Sequence, residues 1–221
     1  MDVSTAIAAR RSVRNFRDTP VDPAVLTDIA TRAARAATGG NLQPWHIDIV
    51  AGDAMARLKA TMRERLAEGV KETPAYDVYP RELVAPYSGR RFAIGEAMYA
   101  HLGIPRDDRP ARRTWFARNF QFFGAPAAFF CTVDKRMGAP QWADMGMYLQ
   151  NLMLLATERG LGTCAQECWA AFPDTIEAFL DTPGDRMLFC GVAIGHEDTD
   201  HPVNRLRSER APEREWLRVV G

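Results

Sequence analysis

Arg10-Arg11-Ser12-Val13-Arg14-Asn15-Phe16-Arg17 places four arginines and a serine within eight residues. The segment before it reads as a short helix, capped by Asp2 or Ser4 with Val3, Ala6 and Ile7 on its apolar side. Carried through the cluster, that helix puts Arg10 and Arg14 on one face. Guanidinium forks beside a hydroxyl suit a phosphate, because each charge-assisted hydrogen bond is worth roughly 1.5–3 kcal/mol. Read alone, the run fits a solvated basic face as well, and the rest of the chain has to decide.

The chain has 221 residues, 47% of them hydrophobic and 25% charged, enough for one substantial core and a single domain over 1–221. Lysine plus arginine and aspartate plus glutamate are 28 each. With a formal charge of zero there is no global field to draw nucleic acid or an anionic membrane, so the basic cluster points to a small anion. Asp2, Ser4 and Thr5 interrupt the start, where a secretory signal would be apolar, and a cytoplasmic location is expected. The cysteines at 131, 164, 168 and 190 lie in apolar surroundings, and no histidine follows at zinc-finger spacing. They read as buried thiols, with no metal site expected.

A second helix starts after Asp22 with Pro23 in its first turn, and Val25, Leu26, Ile29, Ala30, Ala33 and Ala36 give it a buried stripe. Thr38-Gly39-Gly40-Asn41 stops it. His46 to Ala51 alternates like a half-buried strand, with His46 a structural ring on its polar side. Asp53 to Glu68 reads as an exposed amphipathic helix facing inward through Met55, Leu58, Met62 and Leu66. Ala127 to Val133 and Arg186 to Ile194 are continuous apolar runs that predict buried strands. Between the two lie a tight polar turn over Leu161 to Trp169 and a short helix over Phe172 to Leu180.

Two stretches stand out. Residues 70–113 lose periodicity, broken by prolines and interleaved with tyrosines and arginines, which is the composition of a lid or substrate loop; helices are expected within it at Phe92 to His101 and from Asp108 to Phe123. The helix from Pro140 to Arg159 is apolar on most of its circumference. Either it runs through the core or a second copy covers its other side, and a homodimer is the favoured reading. Glycine-rich dinucleotide fingerprints, Gly-x-Ser-x-Gly elbows and His-Glu-x-x-His motifs are absent, which removes the main support for Rossmann dehydrogenases and hydrolases.

Arg10 to Phe16, Gly40-Asn41-Leu42-Gln43-Pro44-Trp45, Gly124-Ala125-Pro126, Glu158-Arg159-Gly160-Leu161-Gly162-Thr163 and Gly191 to Gly195 with its basic tail occur in this order. Together they resemble the FMN-dependent nitroreductase family, over nearly the whole chain. The resemblance implies an α+β fold with a central, mostly antiparallel sheet flanked by helices, built as an intertwined homodimer. It implies FMN as cofactor, NAD(P)H as donor and a small electron-poor acceptor, a nitroaromatic or quinone, served by a ping-pong cycle. Position by position, Arg10 and Ser12, beside Arg11, would hold the FMN phosphate, and Arg14 would lie near the pyrimidine edge. Thr38, Gly39 and Asn41 of the partner subunit would line the cofactor. Gln166, Glu167 and Cys168 would pass the ring, with the Glu167 backbone N–H at N5; Arg210 would complete the phosphate site, with Arg207 as second choice. No side chain is expected as an essential acid or base. The 70–113 excursion resembles the nitrobenzoate reductase branch, and Tyr87, Arg90 and Arg91 would wall the flavin for a nitroaromatic carboxylate, unless the two arginines are the solvent-facing end of a helix. Two alternatives accompany this reading: a relative that modifies a flavin or other cofactor without nicotinamide, and a flavin-binding protein without turnover.

Overall fold

The computed structural model describes residues 1–221. Its centre is a four-stranded sheet of β1 (His46–Ala51), β2 (Ala127–Asp134), β3 (Gly162–Gln166) and β4 (Arg186–Gly195), in the order β1-β2-β4-β3 with every neighbouring pair antiparallel. The central positions fall to the two strands that are continuously apolar, because only they have two faces to bury. Neighbouring side chains on β2 go to opposite sides: Phe130 joins one core and Phe129 the other.

Helices α1 (Val3–Ala9), α2 (Pro23–Ala33) and α6 (Ala139–Glu158) belong to one layer, where α2 and α6 cover a sheet face through Leu26, Ile29, Met145, Tyr148, Leu149 and Leu152. The opposite core is closed by α3 (Gly52–Ala67), α5 (Arg109–Ala117) and α7 (Pro173–Leu180), with Trp169 packed against the sheet. Gly191 makes that approach possible, since a Cβ there would meet the Trp169 ring at 2.6 Å. Between α3 and α5, α4 (Tyr87–His101) has no buried residue and meets this core only through the partly buried Met98 and Tyr99.

Several expectations are corrected here. The first helix ends at Ala9, and Arg10–Phe16 runs extended, with Ser12 pairing in parallel beside Thr163 and the Val13 N–H donating to the Thr163 carbonyl at 2.9 Å. Arg10 and Arg14 therefore share a side through the two-residue alternation of an extended chain, not through a helical turn. The expected polar turn at 161–169 is the edge strand β3 followed by a 3-10 turn over Glu167–Ala171; its small residues fit a strand squeezed between β4 and Val13, whose side chain would clash with any Cβ on Gly162. The helix expected through Phe123 stops at Ala117, because Phe120, Phe122 and Phe123 are all buried and a left-handed backbone at Phe122 and Phe123 is what turns them inward. In the excursion, α4 begins at Tyr87, five residues before Phe92. The long helix α6 is not enclosed within one chain: Met147 is 41% exposed. No helix is long and apolar enough to cross a membrane.

Candidate functional site

Along Arg10–Arg14 the alternation sorts the side chains. Val13 goes into the core, and Arg11 is held by an ion pair to Glu197. Arg10, Ser12 and Arg14 lie on the other side, and none of these three meets a carboxylate; the Arg14 guanidinium donates only to the Ser12 carbonyl, at 3.4 Å. The segment is fastened at its far end by Asn204, a buried residue whose Oδ1 accepts from the Arg14 N–H at 2.8 Å, while its Nδ2 donates to the carbonyls of Asn15 and Asp198, both at 2.8 Å. Asn15 in turn donates to Asp198 at 2.8 Å and accepts from Arg118 at 2.6 Å. Sequence reasoning missed Asn204; its only signal was an uncharged amide within a basic tail.

Edge strand β3 presents the neighbouring surface. Gln166, opposite Gly191 in the last pair of the ladder, is buried, and its Nε2 donates to the Asn119 carbonyl at 2.8 Å. Glu167 and Cys168 follow beyond the ladder, so the Glu167 N–H leaves the sheet. Burial raises the Cys168 thiol above its ordinary value, and partial desolvation shifts the carboxyl of the otherwise exposed Glu167 the same way. All four cysteines are free, and at Cys131, Cys164 and Cys190 burial likewise holds the thiol protonated.

The turn carrying Thr38, Gly39 and Asn41 is far along the other layer, secured by Asp144 of α6. The buried Asp144 carboxylate accepts from Thr38 Oγ1 at 3.0 Å and from the Gly39 N–H at 3.2 Å. Asn41 is exposed, with φ of 57°. Asp144 was legible as the only carboxylate within the apolar body of α6, though not as the anchor of this turn.

Beyond Asn204 the chain carries Arg207 and Arg210, which donate to local carbonyls and the Ser208 hydroxyl and meet no carboxylate. They line a groove of about 490 Å³ against one side of α4, shared with Arg90. Arg90 is neutralised there by Glu215 at 2.6 Å. A separate cavity of about 550 Å³ lies on the other side of α4, lined by Arg14, Arg91, Tyr99, Trp115, Phe116 and Asn119 among others. The structure thus brings Arg91 to the same cavity as Arg14 and sends Arg90 elsewhere, as expected for adjacent helical residues, which do not face one way. Tyr87 lies at the start of α4, 59% exposed, near the Arg90 guanidinium.

A family model described as "Nitroreductase family" matches residues 7–196. The chain is 32% identical over 220 residues to a 4-nitrobenzoate reductase of Pseudomonas putida, covering 100% of this chain and 96% of that protein. Among solved structures it is similar to the FMN and NADPH-dependent nitroreductase NfnB from sphigopyxis sp. strain HMH, at 46% identity and a TM-score of 0.96 over the whole of both chains. The FMN-dependent nitroreductase NfnB from Mycobacterium smegmatis, solved in complex with NADPH, matches at 30% identity and a TM-score of 0.93, again over both whole chains.

Proposed function

Because the chain belongs to the nitroreductase family, we propose that it is an FMN-dependent oxidoreductase that uses NAD(P)H to reduce nitroaromatic acceptors, with quinones as a second acceptor class. The observation that carries this reading is the donor set of the Arg10–Arg14 segment. Two guanidiniums and a hydroxyl share one side of a pinned, extended chain with no carboxylate to neutralise them, beside an edge strand whose outward Ala165 leaves flat surface. That set fits a phosphate next to a planar ring system.

In this proposal Arg10 and Ser12 hold the phosphate, with Arg210 or Arg207 from the tail, while Arg11 keeps the segment seated through Glu197. Arg14 faces the pyrimidine edge, where its uncompensated charge favours electron density arriving on the ring. Gln166, Glu167 and Cys168 would line the ring, with the Glu167 N–H available as a donor to N5. When bound, FMN supplies the two-electron redox chemistry that links the nicotinamide to the acceptor. The chain's own residues bind and orient, and none is assigned as an essential acid or base.

The proposal extends to a homodimer in which Thr38, Gly39 and Asn41 of the partner subunit complete the site. Support comes from the apolar groups that one chain leaves uncovered: Val3 and Ile7 on α1, Met147 on α6, and Trp216, Leu217 and Val219 in the tail. Burying such surface is the usual driving force for an obligate interface. Residues 70–113 form the outer wall over the flavin within the single 1–221 domain.

An anaerobic absorbance titration tests the function. A flavin spectrum that bleaches with NADPH or NADH and returns on adding 4-nitrobenzoate is the expected result. A bound flavin that neither nicotinamide bleaches would overturn the oxidoreductase reading.

A further inference from the structure

The cavity beside α4 has an electrostatic asymmetry that the nitroreductase reading does not by itself require. Three side chains lining it are charged: Arg14, Arg91 and Glu96. Glu96 is already satisfied, since Arg112 grips it in a bidentate pair at 2.6 and 3.1 Å while its guanidinium lies 4.2 Å from the centre of the Tyr99 ring. Neither Arg14 nor Arg91 has a carboxylate. Arg91 instead stacks on Tyr79, its guanidinium 4.2 Å from the ring centre. A stacked guanidinium is oriented yet keeps its edge N–H groups available for a two-pronged bond to a carboxylate. The rest of the lining is mainly aromatic and aliphatic, including Phe92, Trp115 and Phe116.

We infer that this cavity selects acceptors bearing an anionic group, an aryl carboxylate in the simplest case, and that Arg91 is the residue that distinguishes them from neutral nitroarenes. The inference rests on the acceptor reading given above. It assigns different roles to two neighbours in sequence. Arg91 offers an uncompensated charge to the cavity, whereas Arg90 faces the opposite groove and is paired with Glu215. Arg112 acts at one remove, as a positioning residue that keeps the Glu96 carboxylate from repelling the anion.

The test compares binding and turnover in the holoenzyme. Equilibrium binding of benzoate and benzamide, neither of which carries a nitro group, reads the charge preference without any reaction. Arg91→Ala should weaken benzoate about 3- to 5-fold, the upper end for one exposed ion pair, and leave benzamide within about twofold on the same scale. KM for 4-nitrobenzoate should rise by the same factor, with that for nitrobenzene unchanged and kcat preserved for both. Arg90→Ala should alter neither ratio, and Arg112→Gln should weaken benzoate by unmasking Glu96. The inference is overturned if wild-type protein binds benzoate and benzamide alike, if Arg91→Ala weakens both equally, or if Arg90→Ala matches it. A protein that prefers benzoate through Arg91 but reduces neither nitroarene would keep the anion site and refute the acceptor reading.

Discussion

The Arg10–Phe16 segment and the 70–113 excursion are both rich in arginine, but they are held in place by opposite means. The first is fixed through its backbone: Val13 donates to Thr163, Arg14 to Asn204, and the buried Val13 and Phe16 anchor it to the core. The second is held mainly through side chains. Glu72 accepts from the Thr175 N–H and hydroxyl, Tyr76 donates to the Phe189 carbonyl, and the only sheet-side backbone tie near them is Ala75 to Ala170 at 2.9 Å. In the proposed function, backbone pairing fixes where the cofactor phosphate sits, whatever the acceptor. Side-chain attachment leaves the acceptor wall free to change without disturbing the frame.

The comparison breaks most visibly at Asn204. Asn204→Ala removes three hydrogen bonds and strands the Arg14 N–H and two carbonyls in a buried setting, so a loss of about 3 kcal/mol is expected. Urea denaturation measures it; a change below about 0.5 kcal/mol, the range of ordinary surface substitutions, would mean that the segment is not fastened there. Flavin retention should fall in the same variant.

On the excursion side, Glu72→Gln weakens the cap on α7 and should cost about 1 kcal/mol. Limited proteolysis should then cut more rapidly within 70–86 while the 10–16 segment stays protected. Protection lost equally in both places would show that the two regions are one cooperative unit.

A smaller effect concerns pH. His201 Nδ1 accepts from the Val203 N–H at 3.3 Å, and its ring stacks on Trp115. Burial, then the charge of Arg118, lowers its pKa below the ordinary 6.5. A histidine depressed on folding contributes stability that is present above its unfolded value and lost as pH falls through it. Stability should therefore decline as pH falls below about 6.5, and His201→Gln should remove that part of the slope. Since His201 begins the turn that carries Asn204, flavin affinity should weaken over the same interval. An unchanged slope in His201→Gln would separate this ring from the clasp.

Much of the frame was readable from residues alone: α2, α3, α7 and the strands β1, β2 and β4 follow from periodicity and apolar runs, with boundaries a few residues off. What failed was non-local. Arg10–Arg17 looked helical because a helix leads into it, and only partners far along the chain, Thr163, Glu197 and Asn204 among them, hold it extended. The proposed site does not depend on a helix there, because Arg10, Ser12 and Arg14 share a side under an alternating pattern too. The β3 strand was hidden by Gly162 and Ala165, which are poor strand formers, although Gly162 is what fits against Val13. Asn204 and Asp144 act through geometry that composition cannot report. The divergence of Arg90 and Arg91, in contrast, follows from helical spacing once α4 is known to begin at Tyr87.

The central claim is that Arg10 and Ser12 receive a flavin phosphate. It is tested most directly by titrating apoprotein with FMN and with riboflavin, in wild type and in Arg10→Ala, and following flavin fluorescence. The account predicts that Arg10→Ala weakens FMN by about tenfold or more, one charge-assisted contact's worth, and leaves riboflavin unchanged. Equal weakening of both, or wild-type protein that binds FMN no better than riboflavin, would contradict it.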